Sequence, residues 1–263
     1  MGRINIGGVD IRYADKGSGP VVLFLHAFGL SLRMWDEQEA LSDRFRIVRF
    51  DARGHGGSGL GDALLTMDRI ADDAANLIEQ LRLGPVILVG CSMGGYAAFA
   101  FAQKHAALLR GLILVDTRAG ADSAAGRRGR GDLAARVVKE GAQAALDFFL
   151  PRVFGESTKK GRADVVARFK EMVLATTPRG ISDALHGIAA RGDSTAFLRE
   201  IRVPTLVVCG EEDGLTPRAE AEIIQRGIKG AELAMISKSG HLPSMETPVE
   251  FNEVVRRFLE RTF

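Results

Sequence analysis

A serine stands between two glycines in Gly90-Cys91-Ser92-Met93-Gly94, directly after the apolar run Val86 to Val89 and directly before a helical stretch from Tyr96 to Gln103. A sharp strand-to-helix turn can hold a serine in a strained backbone conformation with its hydroxyl exposed, and glycines two residues to either side remove the Cβ atoms that would clash there. The helix that follows aims its N-terminal N–H groups at an anion forming beside the serine. A serine hydroxyl alone is a weak nucleophile near neutral pH, so a base must come to it from elsewhere in the chain. Five histidines compete: His26, His55, His105, His186 and His241. Only His241, after Ser239-Gly240, lies on a small-residue loop at the end of an apolar run and downstream of an acid in a matching position. That acid is Asp213 in Gly210-Glu211-Glu212-Asp213. Asp116, in Leu114-Val115-Asp116-Thr117, is its competitor, because it too ends an apolar run. Nucleophile, base and orienting acid together define acyl transfer.

Elements must bring these loops together. Short β-branched runs alternate with longer amphipathic stretches, the pattern of βαβ units and a largely parallel sheet. The strand candidates are Val21 to His26, Arg46 to Asp51, Val86 to Gly90, Leu112 to Asp116, Thr205 to Gly210 and Glu232 to Ser237. Several are apolar almost throughout, as strands covered on both faces must be. Arg3 to Ile6 and Val9 to Tyr13, broken by Gly7-Gly8, predict an antiparallel hairpin at one sheet edge. Met67, Ile70, Ala71, Ala74, Leu77, Ile78 and Leu81 fall on one helix face. Phe251, Val254, Val255, Phe258 and Leu259 fall on another, opened by Thr247, Pro248 and Glu250 in capping-box and N1 positions. The alternation stops after Asp116 and resumes at Pro204. We expect a core of residues 1–118 and 201–263, with residues 119–200 inserted as a helical lid. Within the insertion, Arg127, Arg128 and Arg130 read as a solvated helix face.

Ser92, Asp213 and His241, in that chain order and each after a strand, resemble the triad of the α/β-hydrolase superfamily, and the resemblance extends over essentially the whole chain. His26-Ala27-Phe28-Gly29, the Asp51 to Ser58 loop and Ser239-Gly240-His241 support it. The sequence is similar to small bacterial esterases and to β-ketoadipate enol-lactone hydrolases, a grouping with cofactor-free haloperoxidase-like members. The resemblance implies an α/β fold, a mostly parallel twisted sheet flanked by helices. It also implies oxyanion-binding N–H groups from Phe28 and Met93, and a scaffold role for His26 and the Asp51 to Ser58 loop. Ala27 stands where relatives commonly have glycine. The expected chemistry is hydrolysis of carboxylic esters or lactones through an acyl-enzyme, with no metal or organic cofactor. Relatives that open epoxides or displace halides carry Asp at the elbow, whereas this chain has Ser92. Perhydrolase chemistry, carbon–carbon bond hydrolysis and a slow-turnover small-molecule receptor are the alternatives with the same triad.

The chain has 263 residues, with 35 Lys+Arg against 33 Asp+Glu, and its basic residues are spread along the sequence. That balance argues against a nucleic-acid partner. Cys91 and Cys209 each end an apolar run and read as buried small residues with no disulfide framework. No run reaches the roughly 18 apolar residues of a membrane span, and the N-terminus lacks the apolar segment of a signal peptide. A cytoplasmic protein acting on a small-molecule ester or lactone is expected, with the oligomeric state open and a homodimer as one option. Phe148, Phe149, Leu150, Phe154, Met172 and Leu185, with Trp35 near the mouth, are the candidates for an apolar substrate pocket.

Overall fold

A computed structural model describes residues 1–263. Its eight strands, β1 (Gly2–Ile6), β2 (Val9–Lys16), β3 (Val21–Leu25), β4 (Arg46–Phe50), β5 (Val86–Cys91), β6 (Leu109–Val115), β7 (Thr205–Gly210) and β8 (Glu232–Ile236), form one sheet in the order β1-β2-β4-β3-β5-β6-β7-β8. The hairpin β1–β2 pairs antiparallel with itself and with β4, and every other neighbour is parallel. Gly7 and Gly8 turn the hairpin with φ of 54° and 82°, a left-handed pair that side chains resist. The second strand is longer than its apolar pattern suggests: β2, between β1 and β4, continues to Lys16 because the backbone of Tyr13 to Lys16 pairs with β4 whatever its side chains.

The helices are α1 (Met67–Gln80), α2 (Met93–Lys104), α3 (Ala124–Glu140), α4 (Ala142–Val153), α5 (Glu156–Gly161), α6 (Ala163–Ala175), α7 (Pro178–Ala189), α8 (Arg218–Gly227), α9 (Pro243–Glu246) and α10 (Pro248–Thr262). Alternate residues of the central strands feed opposite layers, as the strand period of two requires. Leu23, Leu25 and Leu88 pack with Ile70 of α1, Ala97 and Phe101 of α2 and Ile224 of α8. Val22, Phe24, Ile87 and Val89 pack on the other face with Trp35, Leu41, and Phe251, Val255 and Phe258 of α10. Between β6 and β7 the chain forms α3 to α7 and a short 3-10 turn, with no strand. α3 and α7 lie against each other there.

The 3-10 helix Leu32–Leu41, which no sequence pattern predicts, has a non-helical residue inside it, Trp35, and so carries no clean helical period. One local expectation is corrected. The capping box at α10 does not form: Thr247 makes no side-chain cap, and Glu250 instead accepts from the Ser237 amide at 3.2 Å and its hydroxyl at 2.7 Å, closing the end of β8.

Candidate active site

The loops at the carboxyl ends of β3, β5, β6, β7 and β8 converge on one cavity. Ser92 sits between β5 and α2 with φ 52° and ψ −110°, outside the regions that L-residues ordinarily occupy. The neighbouring glycines explain how the turn is possible. A Cβ on Gly90 would lie 2.3 Å from the Gly94 carbonyl oxygen, and one on Gly94 would lie 2.3 Å from that of Leu25. The Ser92 residue is half-buried, and Thr117 ties the elbow to the end of β6 by donating its hydroxyl to the Ser92 carbonyl at 2.9 Å.

Asp213, on the loop after β7, meets His241, on the loop after β8, through a 2.8 Å hydrogen bond between Oδ2 and Nδ1. The carboxylate is held by further donors. Its Oδ1 accepts from the amides of Leu215 at 2.7 Å and Thr216 at 3.1 Å, and its Oδ2 accepts from the Thr216 hydroxyl at 2.6 Å. Burial opposes the charge on Asp213, but the field and hydrogen bond of His241 and the hydroxyl of Thr216 outweigh it and hold the carboxyl well below the usual range. With Nδ1 engaged, Nε2 is the ring nitrogen left to exchange a proton. The Ser92 hydroxyl makes no hydrogen bond to the imidazole, a contact that commonly tightens when substrate binds.

Asp116 is not the partner of His241. Its Oδ1 accepts from the Gly210 amide at 2.9 Å, joining β6 to β7, and its Oδ2 is buried without a hydrogen-bond partner. Burial and the adjacent charge of Asp213 hold its carboxyl well above the usual range. Asp116, Asp213 and Cys209 bring their oxygens and sulfur within 4.8 Å of one another, a cluster not visible in the sequence. Its donors are spent internally: Asp213 faces His241 and Thr216, and the Cys209 thiol points to the carbonyls of Gly210 at 3.4 Å and Thr216 at 3.8 Å. Burial pushes that thiol up, so it stays protonated and is a poor metal ligand. Cys91 is also buried and free.

Met93 opens α2, where backbone N–H groups have no acceptor within the helix. Phe28 follows β3 and lines the cavity beside Ser92. Ala27 lies outside the left-handed region, so its Cβ brings no backbone strain to the loop. His26 is buried and joins two loops: Nε2 accepts from the Ala52 amide at 2.9 Å and Nδ1 donates to the Ala27 carbonyl at 2.8 Å. Asp51 fixes the same region, accepting from Leu32 at 2.6 Å and Gly57 at 2.8 Å.

The cavity encloses about 320 Å³ and is lined by Phe28, Ser92, Leu133, Phe148, Phe149, Leu185, Ile188, Leu215 and His241, with Tyr96, Arg118, Asp122, Arg130 and Thr216 as its polar wall. A smaller apolar recess of about 30 Å³ opens from Ser92 and His241 on the side of Ala27 to Leu30, walled by Phe149, Phe169 and Val173. Phe148, Phe149 and Leu185 are therefore on the cavity, and Phe149 stacks on Phe28 with ring centroids 5.1 Å apart. Trp35 and Met172 are not. Trp35 is wholly buried between Phe24 and Phe251, where the largest side chain of the layer fills the space under α10. Met172 points to the packed side of α6. Leu150 and Phe154 lie with the same packed layer, Phe154 on Phe169 at 5.3 Å.

The arginine cluster also divides. Arg127 and Arg128 are exposed, but Arg130 turns to the cavity and pairs with Asp122, which also pairs with Arg191 at 2.9 Å. Asp122, Tyr96, Thr216 and Arg118 escaped the sequence reading. Thr216 and Arg118 follow Asp213 and Asp116 by three and two residues, and their position just past strand ends is the signal that would have found them.

The alpha/beta hydrolase fold family matches residues 20–248, and the chain belongs to that family. Among solved structures it is similar to a thermophilic esterase from Thermogutta terrifontis, described with malate bound, at 37% identity over 100% of this chain and 99% of that one, with a TM-score of 0.96. It is also similar to the enol-lactonase of Burkholderia xenovorans, at 27% identity over 98% and 100% of the two chains, TM-score 0.92. A curated relative, 3-oxoadipate enol-lactonase 2 of Acinetobacter baylyi, is 24% identical over 96% of this chain and 94% of its own length. No helix is long and apolar enough to cross a membrane.

Proposed function

We propose that this hydrolase cleaves carboxylic esters or lactones through an acyl-enzyme on Ser92. The observation that carries the reading is the 2.8 Å bond from Asp213 to His241 Nδ1, made on the wall of the cavity into which the elbow serine opens. Ser92 Oγ attacks the carbonyl carbon as His241 Nε2 takes its proton, and Asp213 fixes the imidazole tautomer and stabilises the imidazolium. The N–H groups of Phe28 and Met93 receive the oxyanion; losing one such donor costs on the order of 100-fold or more in turnover. Collapse breaks the bond to the leaving oxygen, which His241 protonates. Water then attacks the acyl-enzyme by the same route, returning Ser92 to its starting state. Residues 119–200 serve as the lid, supplying Leu133, Phe148, Phe149 and Leu185 to the cavity. The esterase and enol-lactonase neighbours support this class of reaction.

The test is a steady-state panel of acyl esters and lactones of increasing chain length, beginning with p-nitrophenyl acetate and butyrate. Repeated turnover supports the reading. A single slow burst with a raised melting temperature would contradict it and favour a receptor.

A further inference from the structure

Thr216 touches both partners of the Asp213–His241 bond. Its hydroxyl donates to Asp213 Oδ2 at 2.6 Å, and the same oxygen lies 3.2 Å from His241 Nδ1, so Oγ1, Oδ2 and Nδ1 form a triangle whose third side is the 2.8 Å bond. The hydroxyl is held in place: Thr216 is 3% exposed, its amide donates to Asp213 Oδ1 at 3.1 Å, and Pro217 follows it as the cap residue of α8. A hydroxyl between a carboxylate and a neutral ring nitrogen gives its proton to the carboxylate, the stronger acceptor. The ring must then keep its own proton on Nδ1, and that N–H meets an oxygen already shared with a second donor. Sharing weakens Oδ2 as an acceptor, and with it the stabilisation that Asp213 lends to an imidazolium. The same donation helps to hold the Asp213 carboxyl below its usual range.

From this triangle we infer that Thr216 is a positioning residue that sets the lower edge of the pH range in which His241 works as a base. By drawing on Oδ2 it keeps the ring neutral, and so able to take the Ser92 proton, further into acid than the Asp213–His241 pair alone would allow. Such control rests on the reading of Ser92 as nucleophile and His241 as its base. Other charged groups near the ring do not depend on the Thr216 hydroxyl. Asp116 lies beside Asp213 and is held neutral, Glu246 of α9 accepts from the Leu242 amide at 3.0 Å, and Glu212 accepts from the Glu156 amide at 2.5 Å. Arg118 shares the cavity wall, as do Arg130 and Asp122, which Arg191 also joins. The thiols of Cys91, 3.8 Å from the His241 carbonyl, and of Cys209 are kept protonated by burial. α4 meets His241 through the Val153 carbonyl, which accepts from the His241 amide at 2.9 Å.

The experiment measures kcat/KM for p-nitrophenyl acetate from about pH 5 to about pH 9 in the native protein, Thr216→Val and Thr216→Ser. Thr216→Val, which keeps the branched shape and loses the donor, moves the acid limb up by about half to one pH unit, a loss of about three- to tenfold below the limb, and stays within about threefold of native on the alkaline plateau. Thr216→Ser, which keeps the hydroxyl, leaves the limb within about 0.2 unit of native. An unmoved limb in Thr216→Val, or a loss by the same factor at every pH, would mean that Thr216 only holds the loop, and would overturn the assignment; so would a limb that moves as far in Thr216→Ser. Should Thr216→Val not fold, Thr216→Ala is judged by the same limb. If no ester is turned over, the esterase reading itself fails. The role of Thr216 is then judged by the pH midpoint of the His241 Cε1–H proton resonance, assigned by its loss in His241→Ala: a midpoint raised when the hydroxyl is removed supports the assignment, and one that stays in place overturns it.

Discussion

The carboxyl groups of Asp116 and Asp213 lie within 4.8 Å of each other beneath His241, yet only Asp213 reaches the imidazole. Two buried carboxyl groups this close cannot both carry charge cheaply. Asp213 has the donors, from His241, Thr216 and two backbone amides, while Asp116 has one amide and an unpartnered oxygen. The charge therefore settles on Asp213, and Asp116 stays neutral as a brace between β6 and β7.

The pair gives the first prediction. Asp213→Asn should leave the fold intact and lower turnover by roughly 10⁴-fold, because an amide holds the wrong imidazole tautomer. Asparagine closely resembles a neutral aspartic acid, so Asp116→Asn should cost less than about tenfold, through its bond to Gly210 only. Turnover of both variants on one fast ester separates the roles; a large loss confined to Asp116→Asn would reverse them.

The small recess beside Ser92 sets the second. Val173 walls that recess, whereas Met172, one residue away, faces the packed layer. Val173→Ala should shift preference toward longer acyl chains by about 1 to 3 kcal/mol per methylene-sized change. Met172→Ala should instead cost about 2 to 5 kcal/mol of stability with the chain-length profile unchanged. Chain-length profiles and urea melts of the two variants check this, and a Val173→Ala profile that superimposes on the native one would place the acyl chain elsewhere.

The third concerns pH and stability. Burial lowers His26 to about 4 and His55 to about 3, the charge of one adding to the depression of the other, with ring centroids 5.2 Å apart. Both values lie below the ordinary 6.5 of the unfolded chain, so the unfolded state binds more protons once pH drops through that value. The stability these rings contribute is present above about 6.5 and is lost as pH falls toward 4. Near pH 5 the two together steepen the decline by about 2.7 kcal/mol per pH unit. His55→Asn, which can still donate to the Arg53 carbonyl as Nδ1 does, should make the curve shallower by about 1.4 kcal/mol per unit. Urea unfolding between pH 5 and 6.5 measures the slopes, and parallel curves would mean that His55 titrates normally in the folded protein.

The strands and the loops that carry Ser92, Asp213 and His241 to one end of the sheet were legible in the sequence because both depend on local pattern: an apolar run for each buried strand, and Gly-rich turns where the chain leaves it. The elbow at Ser92 announces itself through glycines that nothing but the turn requires. What the pattern could not carry was direction. Apolar character put Trp35, Met172 and Phe149 in one class without saying what each side chain meets, and only Phe149 looks into the cavity. A run of arginines likewise does not say which of them faces solvent: Asp122, eight residues earlier, draws Arg130 inward while Arg128 stays exposed. Arg118 had no periodicity to betray it.

The covalent step at Ser92 is the one on which the roles of His241 and Asp213 depend. Intact-mass analysis of the protein during turnover of p-nitrophenyl acetate, followed by peptide mapping, should find one acetyl group on the peptide that contains Ser92. Ser92→Ala should carry no adduct, lose ester hydrolysis and melt within about a degree or two of the native protein, since a half-exposed hydroxyl contributes little to stability. Turnover near the native rate in Ser92→Ala, or an acetyl group borne on another residue at a kinetically competent rate, would contradict the acyl-enzyme at Ser92.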